Sequence, residues 1–127
     1  MKLDHLAMYV EDLEGAKEFF IRFFAAETNE EYYNPQTGLR TYFLSFTGGS
    51  RLEIMTRPGL LPGGQEQFFT GYTHLAFSAG SRDRVDQLTK ELAENGYEVL
   101  SGPRLTGDGY YESCICGPEG NQIEITE

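Results

Sequence analysis

The chain is one pattern written twice. Residues 5–24 read HLAMYVEDLEGAKEFFIRFF and residues 74–93 read HLAFSAGSRDRVDQLTKELA, so the second copy starts 69 residues after the first. Such a duplication confines the fold to two similar units. Asp12 and Ser81 hold the same place in their copies, and both are favoured helix N-caps. Ala16, Phe19 and Phe23 match Val85, Leu88 and Leu92, and each set falls on one helical stripe at i, i+3 and i+7. Gly96 suits the residue just past a helix end. The rest of each copy predicts short strands, over 31–33, 40–46 and 51–56 in the first and 98–101, 110–116 and 122–126 in the second. Gly48-Gly49 and Gly117-Pro118-Glu119-Gly120 supply the last turns. A further match, Leu52-Glu53-Ile54 against Ile123-Glu124-Ile125, stands 71 residues apart. Each copy therefore reads β-α-β-β-β, and the fold class is α+β. We expect module 1 over 1–57, a Gly- and Pro-rich linker over 58–72, and module 2 over 73–127. One module alone buries its sheet poorly, so the two pair side by side or exchange between chains.

Strands alternate faces with period two. Leu6, Met8 and Val10 point one way and His5, Ala7 and Tyr9 the other. Leu75 and Phe77 oppose His74. Leu52 and Ile54 oppose Glu53, and Ile123 and Ile125 oppose Glu124. The apolar sets are expected on the helices, which leaves both histidines and both glutamates on the opposite face. A single His or Glu on a strand is ordinarily a solvated or hydrogen-bonded residue. Here the only two histidines of the chain, and two glutamates with them, are placed by the same internal symmetry. With a pseudo-twofold axis between modules, His5 meets His74 and Glu53 meets Glu124. Two imidazoles and two carboxylates suit one divalent ion of the Zn²⁺, Ni²⁺, Co²⁺, Mn²⁺ or Fe²⁺ type, with room left for water in an octahedral shell.

Composition narrows the partners. At 127 residues the chain has the size of one domain, and its net charge is −10. That balance lacks the basic footprint of nucleic-acid binding and of anionic membrane surfaces. No apolar run approaches the ~20 residues of a membrane span, and the first residues do not read as a signal peptide. Only two cysteines occur, Cys114 and Cys116. They stand too close along a strand to bridge each other without strain. A reducing cytoplasm is the expected compartment.

The paired modules, the His-Leu-Ala starts and the ending GPEGNQIEI resemble the vicinal oxygen chelate superfamily over nearly the whole chain. That is the group of glyoxalase I, extradiol dioxygenases, fosfomycin-resistance enzymes, methylmalonyl-CoA epimerase and bleomycin-binding proteins. The resemblance implies a mixed, barrel-like sheet around a metal, a small-molecule substrate with two adjacent oxygens, and a homodimer. Several branches of the superfamily use three protein ligands. The glyoxalase I pattern is His, Glu, His, Glu, and His5, Glu53, His74 and Glu124 match it in order. The implied reaction is that of a lactoylglutathione lyase, on a thiohemiacetal of methylglyoxal. A ligand carboxylate takes a proton from carbon and returns it to the neighbouring carbon, with the metal as Lewis acid. By analogy Glu124 is the first candidate for that base and Glu53 the second.

Two positions depart from the glyoxalase pattern. Tyr9 stands where the resemblance implies an arginine that pairs with a glutathione carboxylate, and Arg57 where it implies an asparagine. Tyr9 cannot make a charge-assisted bidentate contact, whereas Arg57 supplies a cation from a different place. Other branches therefore stay open: an epimerase, hydrolase, thiol transferase or dioxygenase, or a protein that binds a small molecule without chemistry. Tyr111 and Ser113 are expected to line the mouth of the site if the GPEG turn sets Ser113 opposite Glu124. That register sends Cys114 and Cys116 to the helix side. Phe19, Phe20, Phe23 and Phe24 read as core.

Overall fold

In a computed structural model, which describes residues 3–61 and 70–127, each half of the chain folds as one helix against one mixed sheet. The chain divides into two compact units, Met1–Gly63 and Gly64–Glu127. Part of the expected linker, residues 62–69, lies outside the described residues.

The first unit runs β1 (Leu6–Tyr9), α1 (Leu13–Phe24), β2 (Glu27–Thr28), β3 (Tyr32–Asn34), β4 (Leu39–Ser45) and β5 (Arg51–Thr56). Asp12 caps α1 by accepting a hydrogen bond from the Gly15 backbone N–H at 2.9 Å. The helix buries Leu13, Ala16, Phe19, Phe20 and Phe23 against β4 and β5, where Leu44, Leu52 and Ile54 are buried. Rings of Phe19 and Phe20 meet edge to face at 5.1 Å, and with Phe23 they form the expected core, whereas Phe24 is only half-buried. β1 runs parallel to β5, and β5 antiparallel to β4. The outer edge of β4 is shared by two short strands, β2 and β3. β2 was not expected: its two exposed residues carry no apolar period, and only pairing with β4 makes it a strand.

The second unit repeats the plan with β6 (His74–Ser78), α2 (Arg82–Glu94), β7 (Val99–Leu105), β8 (Tyr111–Cys116) and β9 (Gln122–Thr126). Ser81 caps α2 through the Arg84 N–H, and Gly96 follows its end at φ 90°. Val85, Leu88 and Leu92 of α2 are buried over Ile115, Ile123 and Ile125. Complete burial of each such aliphatic chain contributes roughly 1.5–3 kcal/mol. The order is β6-β9-β8-β7, with β6 parallel to β9. β7 continues past Ser101 through Gly102 and Pro103, with register shifts along β8. An edge strand tolerates a proline, and Gly102 adopts φ 79° where a Cβ would lie 2.4 Å from the Glu112 carbonyl oxygen. The strands thus form two sheets, one per unit, and no closed barrel of hydrogen bonds occurs among the described residues. Among those residues no helix is long and apolar enough to cross a membrane.

Candidate metal centre

The strand pairings bring each histidine to its own glutamate. In the first unit Ala7 of β1 stands beside Glu53 of β5. His5, two residues earlier, lies on the same face and reaches Glu53 diagonally. Its Nε2 lies 3.7 Å from Glu53 Oε2. In the second unit Ala76 pairs with Glu124, and His74 Nε2 lies 3.2 Å from Glu124 Oε2. The same atom of each imidazole thus faces the same atom of each carboxylate. The histidine side chains are 36% and 37% exposed and the glutamates 18% and 23%, so all four are open to a ligand without being fully solvated.

These pairs fit a divalent metal by their donor chemistry. Bonds of about 2.1 Å place neighbouring donors on one ion roughly 3.0 Å apart at right angles and roughly 3.4 Å apart in a tetrahedron. Both observed separations are near that range. Each pair supplies one nitrogen and one oxygen. Among the described residues no group of three or more His, Cys, Asp or Glu is gathered to hold a metal.

The surroundings of the two histidines differ. His5 Nδ1 donates to Asp4 Oδ2 at 2.8 Å. Asp4 also accepts from the Arg51 guanidinium. The hydrogen bond from His5 first, and Arg51 second, hold the Asp4 carboxyl below its usual range. The Phe43 ring meets the His5 ring edge-on at 5.1 Å, and Arg51 lies 4.9 Å over the same Phe43 ring. His74 Nδ1 has the Thr73 hydroxyl at 3.3 Å. None of these four neighbours was singled out from the sequence. The signal available was positional, since Asp4 and Thr73 precede the two histidines at the same repeat offset.

One expected register is corrected. Cys114, not Ser113, stands opposite Glu124, and Ser113 pairs with Ile125 on the helix side. Ser113 is fully buried, and its hydroxyl bonds Thr89 of α2 at 2.6 Å. Tyr111 shares that side: its hydroxyl donates to Asp86 of α2 at 2.7 Å and Arg82 lies over its ring. Neither residue lines the Glu124 face, and Cys114 and Cys116 are not core residues of the helix side. The cause is the turn. It takes five residues, Gly117 to Asn121, closed by Gly117 N–H donating to the Asn121 carbonyl at 2.8 Å, with Glu119 in the left-handed region at φ 55°. One extra turn residue moves every side chain of β8 to the other face. Burial, and then the charge of Glu124, push the Cys114 thiol above its usual range. Tyr9 is exposed at the end of β1, beside Met55, on the face of Glu53. Arg57 is exposed one residue beyond β5.

Comparison with known proteins agrees with this architecture. The family model of the Glyoxalase/Bleomycin resistance protein/Dioxygenase superfamily matches residues 2–125. The uncharacterised protein YqjT of Bacillus subtilis is 28% identical over 131 residues, covering 97% of this chain and 96% of that one. The trypanothione-dependent glyoxalase I of Leishmania major superposes with a TM-score of 0.79 at 16% identity, over 100% of this chain and 86% of that one. The fosfomycin resistance protein FosX of Listeria monocytogenes, solved with Mn(II) and sulfate, superposes with a TM-score of 0.72 at 21% identity, over 98% and 90%. At these identities the structural likenesses speak for the fold alone. With one helix packed on one mixed sheet in each half and a family match along almost its entire length, the chain belongs to the Glyoxalase/Bleomycin resistance protein/Dioxygenase superfamily.

Proposed function

We propose that this protein is a metal-dependent lyase of the glyoxalase I type, acting on the thiohemiacetal of methylglyoxal with a small thiol. His5, Glu53, His74 and Glu124 together hold one divalent ion, of the Ni²⁺, Zn²⁺, Co²⁺, Mn²⁺ or Fe²⁺ class. The observation that carries this reading is the duplicated pair, His5 with Glu53 at 3.7 Å and His74 with Glu124 at 3.2 Å. Two such half-sites supply the full His, Glu, His, Glu set. A homodimer, with the half-sites joined within or across chains, is part of the proposal.

A divalent ion held by His5, Glu53, His74 and Glu124 would supply Lewis-acid polarisation of the substrate. The chain's own residues do the rest. Both imidazoles present Nε2 and keep their Nδ1 atoms for neighbouring side chains. The Glu124 carboxylate takes the proton of the substrate C–H bond and returns it to the neighbouring carbon, so the isomerisation needs no external oxidant or reductant. Glu53 is the second candidate for that base. Tyr9, in place of a glutathione-pairing arginine, favours a thiol other than glutathione, and Arg57, one residue beyond β5, supplies a cation from a different place.

The test is turnover of methylglyoxal with a panel of low-molecular-weight thiols after loading with Ni²⁺, Zn²⁺ or Mn²⁺. Thioester formation that depends on both thiol and metal is expected. Metal-loaded protein that makes no thioester with any thiol would sink the lyase reading. The departures at Tyr9 and Arg57 favour one second reading, another metal-dependent activity of the superfamily such as thiol transfer, hydrolysis, epimerisation or dioxygenation. Thiol- or water-dependent loss of fosfomycin, or oxygen uptake with a catechol, separates those branches.

A further inference from the structure

We infer that the two half-sites are inequivalent, and that Asp4 is the positioning residue that makes His5 the firmer ligand. The inference rests on the metal reading above. Four residues of the first unit close a ring of contacts: Asp4 to His5, His5 to Phe43, Phe43 to Arg51, and Arg51 back to Asp4. A carboxylate only accepts hydrogen bonds, so the Nδ1 atom that lies 2.8 Å from Asp4 carries the ring proton. In the neutral ring that leaves the lone pair on Nε2, the atom that faces Glu53. The ring carbons are held as well, by the edge-on Phe43 at 5.1 Å.

The same four places in the second unit are filled differently. By the repeat offsets, Asp4, His5, Phe43 and Arg51 correspond to Thr73, His74, Cys114 and Gln122. The strand registers agree, since Phe43 pairs with Glu53 as Cys114 pairs with Glu124. Thr73 offers His74 a hydroxyl at 3.3 Å, and a hydroxyl both donates and accepts. Either neutral tautomer of His74 is therefore satisfied. Cys114, which is not aromatic, stands in the position that Phe43 takes beside His5. A carboxylate on the far nitrogen raises the basicity of the ligating one and fixes the ring, and loss of such a partner ordinarily weakens metal binding 10–100-fold. The first unit thus anchors the ion. The second unit would hold it through an imidazole whose tautomer its neighbour does not fix.

The test uses full-length protein and two readouts. Histidine-ring ¹⁵N–¹H spectra of metal-free protein, recorded near pH 8.5 above the ordinary histidine range, should show His5 as the Nδ1–H tautomer. In Asp4→Ala the signal should move toward the Nε2–H form. Zn²⁺ affinity, measured by competition with a chromophoric chelator, should fall 10–100-fold in Asp4→Ala. It should fall less in Asp4→Asn, which keeps an acceptor, and stay within a few-fold of wild type in Thr73→Val. A wild-type His5 in the Nε2–H form would overturn the inference. So would Asp4→Ala and Thr73→Val weakening Zn²⁺ equally. Wild-type protein that takes up no Zn²⁺ would overturn the proposed function, and with it the ranking of ligands. The ring spectrum, read without metal, still decides the Asp4 assignment in that case.

Discussion

At the scale of single residues, Glu124 has the most demanding proposed task. General acid–base groups contribute about 10²–10⁴-fold. Glu124→Gln should therefore lower kcat by that order, and metal content measured beside the rate separates a lost base from a lost ligand. A second prediction concerns a network away from the site. Arg40 bonds Glu31 through Nε at 2.9 Å and Nη2 at 2.6 Å, reaches Glu14 at 3.3 Å, and the Tyr42 hydroxyl donates to both carboxylates. Lys17 first holds the Glu14 carboxyl below its ordinary value of 4.5, and Arg40 first holds that of Glu31 below the same value. Carboxylates depressed in the folded state stabilise it above their unfolded pKa, and that contribution is lost as pH falls through the folded values. Arg40→Gln should thus be less stable than wild type at pH 7, with the gap closing below about pH 4 in urea titrations. A gap that does not narrow at all as pH falls below the ordinary carboxylate range would show that Arg40 acts by packing alone. The proposed ligands were legible because a duplication marks both members of each pair. The neighbours that orient them were not. Whether Asp4 bonds His5 or water depends on where Arg51 and Phe43 stand in space, and no spacing encodes that.

At the scale of elements, the helices and most strands could be read directly, and their caps can be tested. Replacing an N-cap by alanine costs about 1 kcal/mol, so Asp12→Ala should lower stability by that order in chemical denaturation. Phe19, Phe23, Leu88 and Leu92 were legible because a helical stripe survives any change in what surrounds it. The faces of β8 were not, because they depend on a single residue of turn length. GPEG reads as a complete turn, yet Asn121 belongs to it as well. One signal pointed the right way: Ile115 had to join Ile123 and Ile125 under α2, and that choice alone sends Cys114 to the side of Glu124. The sequence predicts β7 only as far as Ser101 for a related reason. Gly102-Pro103 reads as a stop, but a bulged edge strand accommodates both. The corrected register carries its own prediction. Ser113→Ala should cost about 1 kcal/mol through the lost bond to Thr89 and leave Zn²⁺ uptake unchanged, because Thr89 keeps its bond to the Val85 carbonyl. A large loss of Zn²⁺ uptake in Ser113→Ala would return that residue to the metal face.

At the scale of the whole molecule, two similar units each carry half of the proposed donor set, so the proposed centre exists only where half-sites meet. Sedimentation should find a dimer. A mixture of His5→Ala and His74→Ala chains reports how the halves join. Sites completed across chains recover about a quarter of wild-type metal, since half of randomly assorted dimers are mixed and each holds one intact site of two. Sites completed within a chain recover none. The fold class was legible at this scale because the repeat dictates it. The choice among activities of the superfamily was not, because a shared fold hosts many chemistries and only site residues choose among them. The most direct test of the central claim is metal content by elemental mass spectrometry on protein purified without chelator, wild type beside His74→Ala. Near one divalent ion per chain in wild type, lost in the variant, is the expected result. No metal in either, even after each divalent ion is added back, would contradict it.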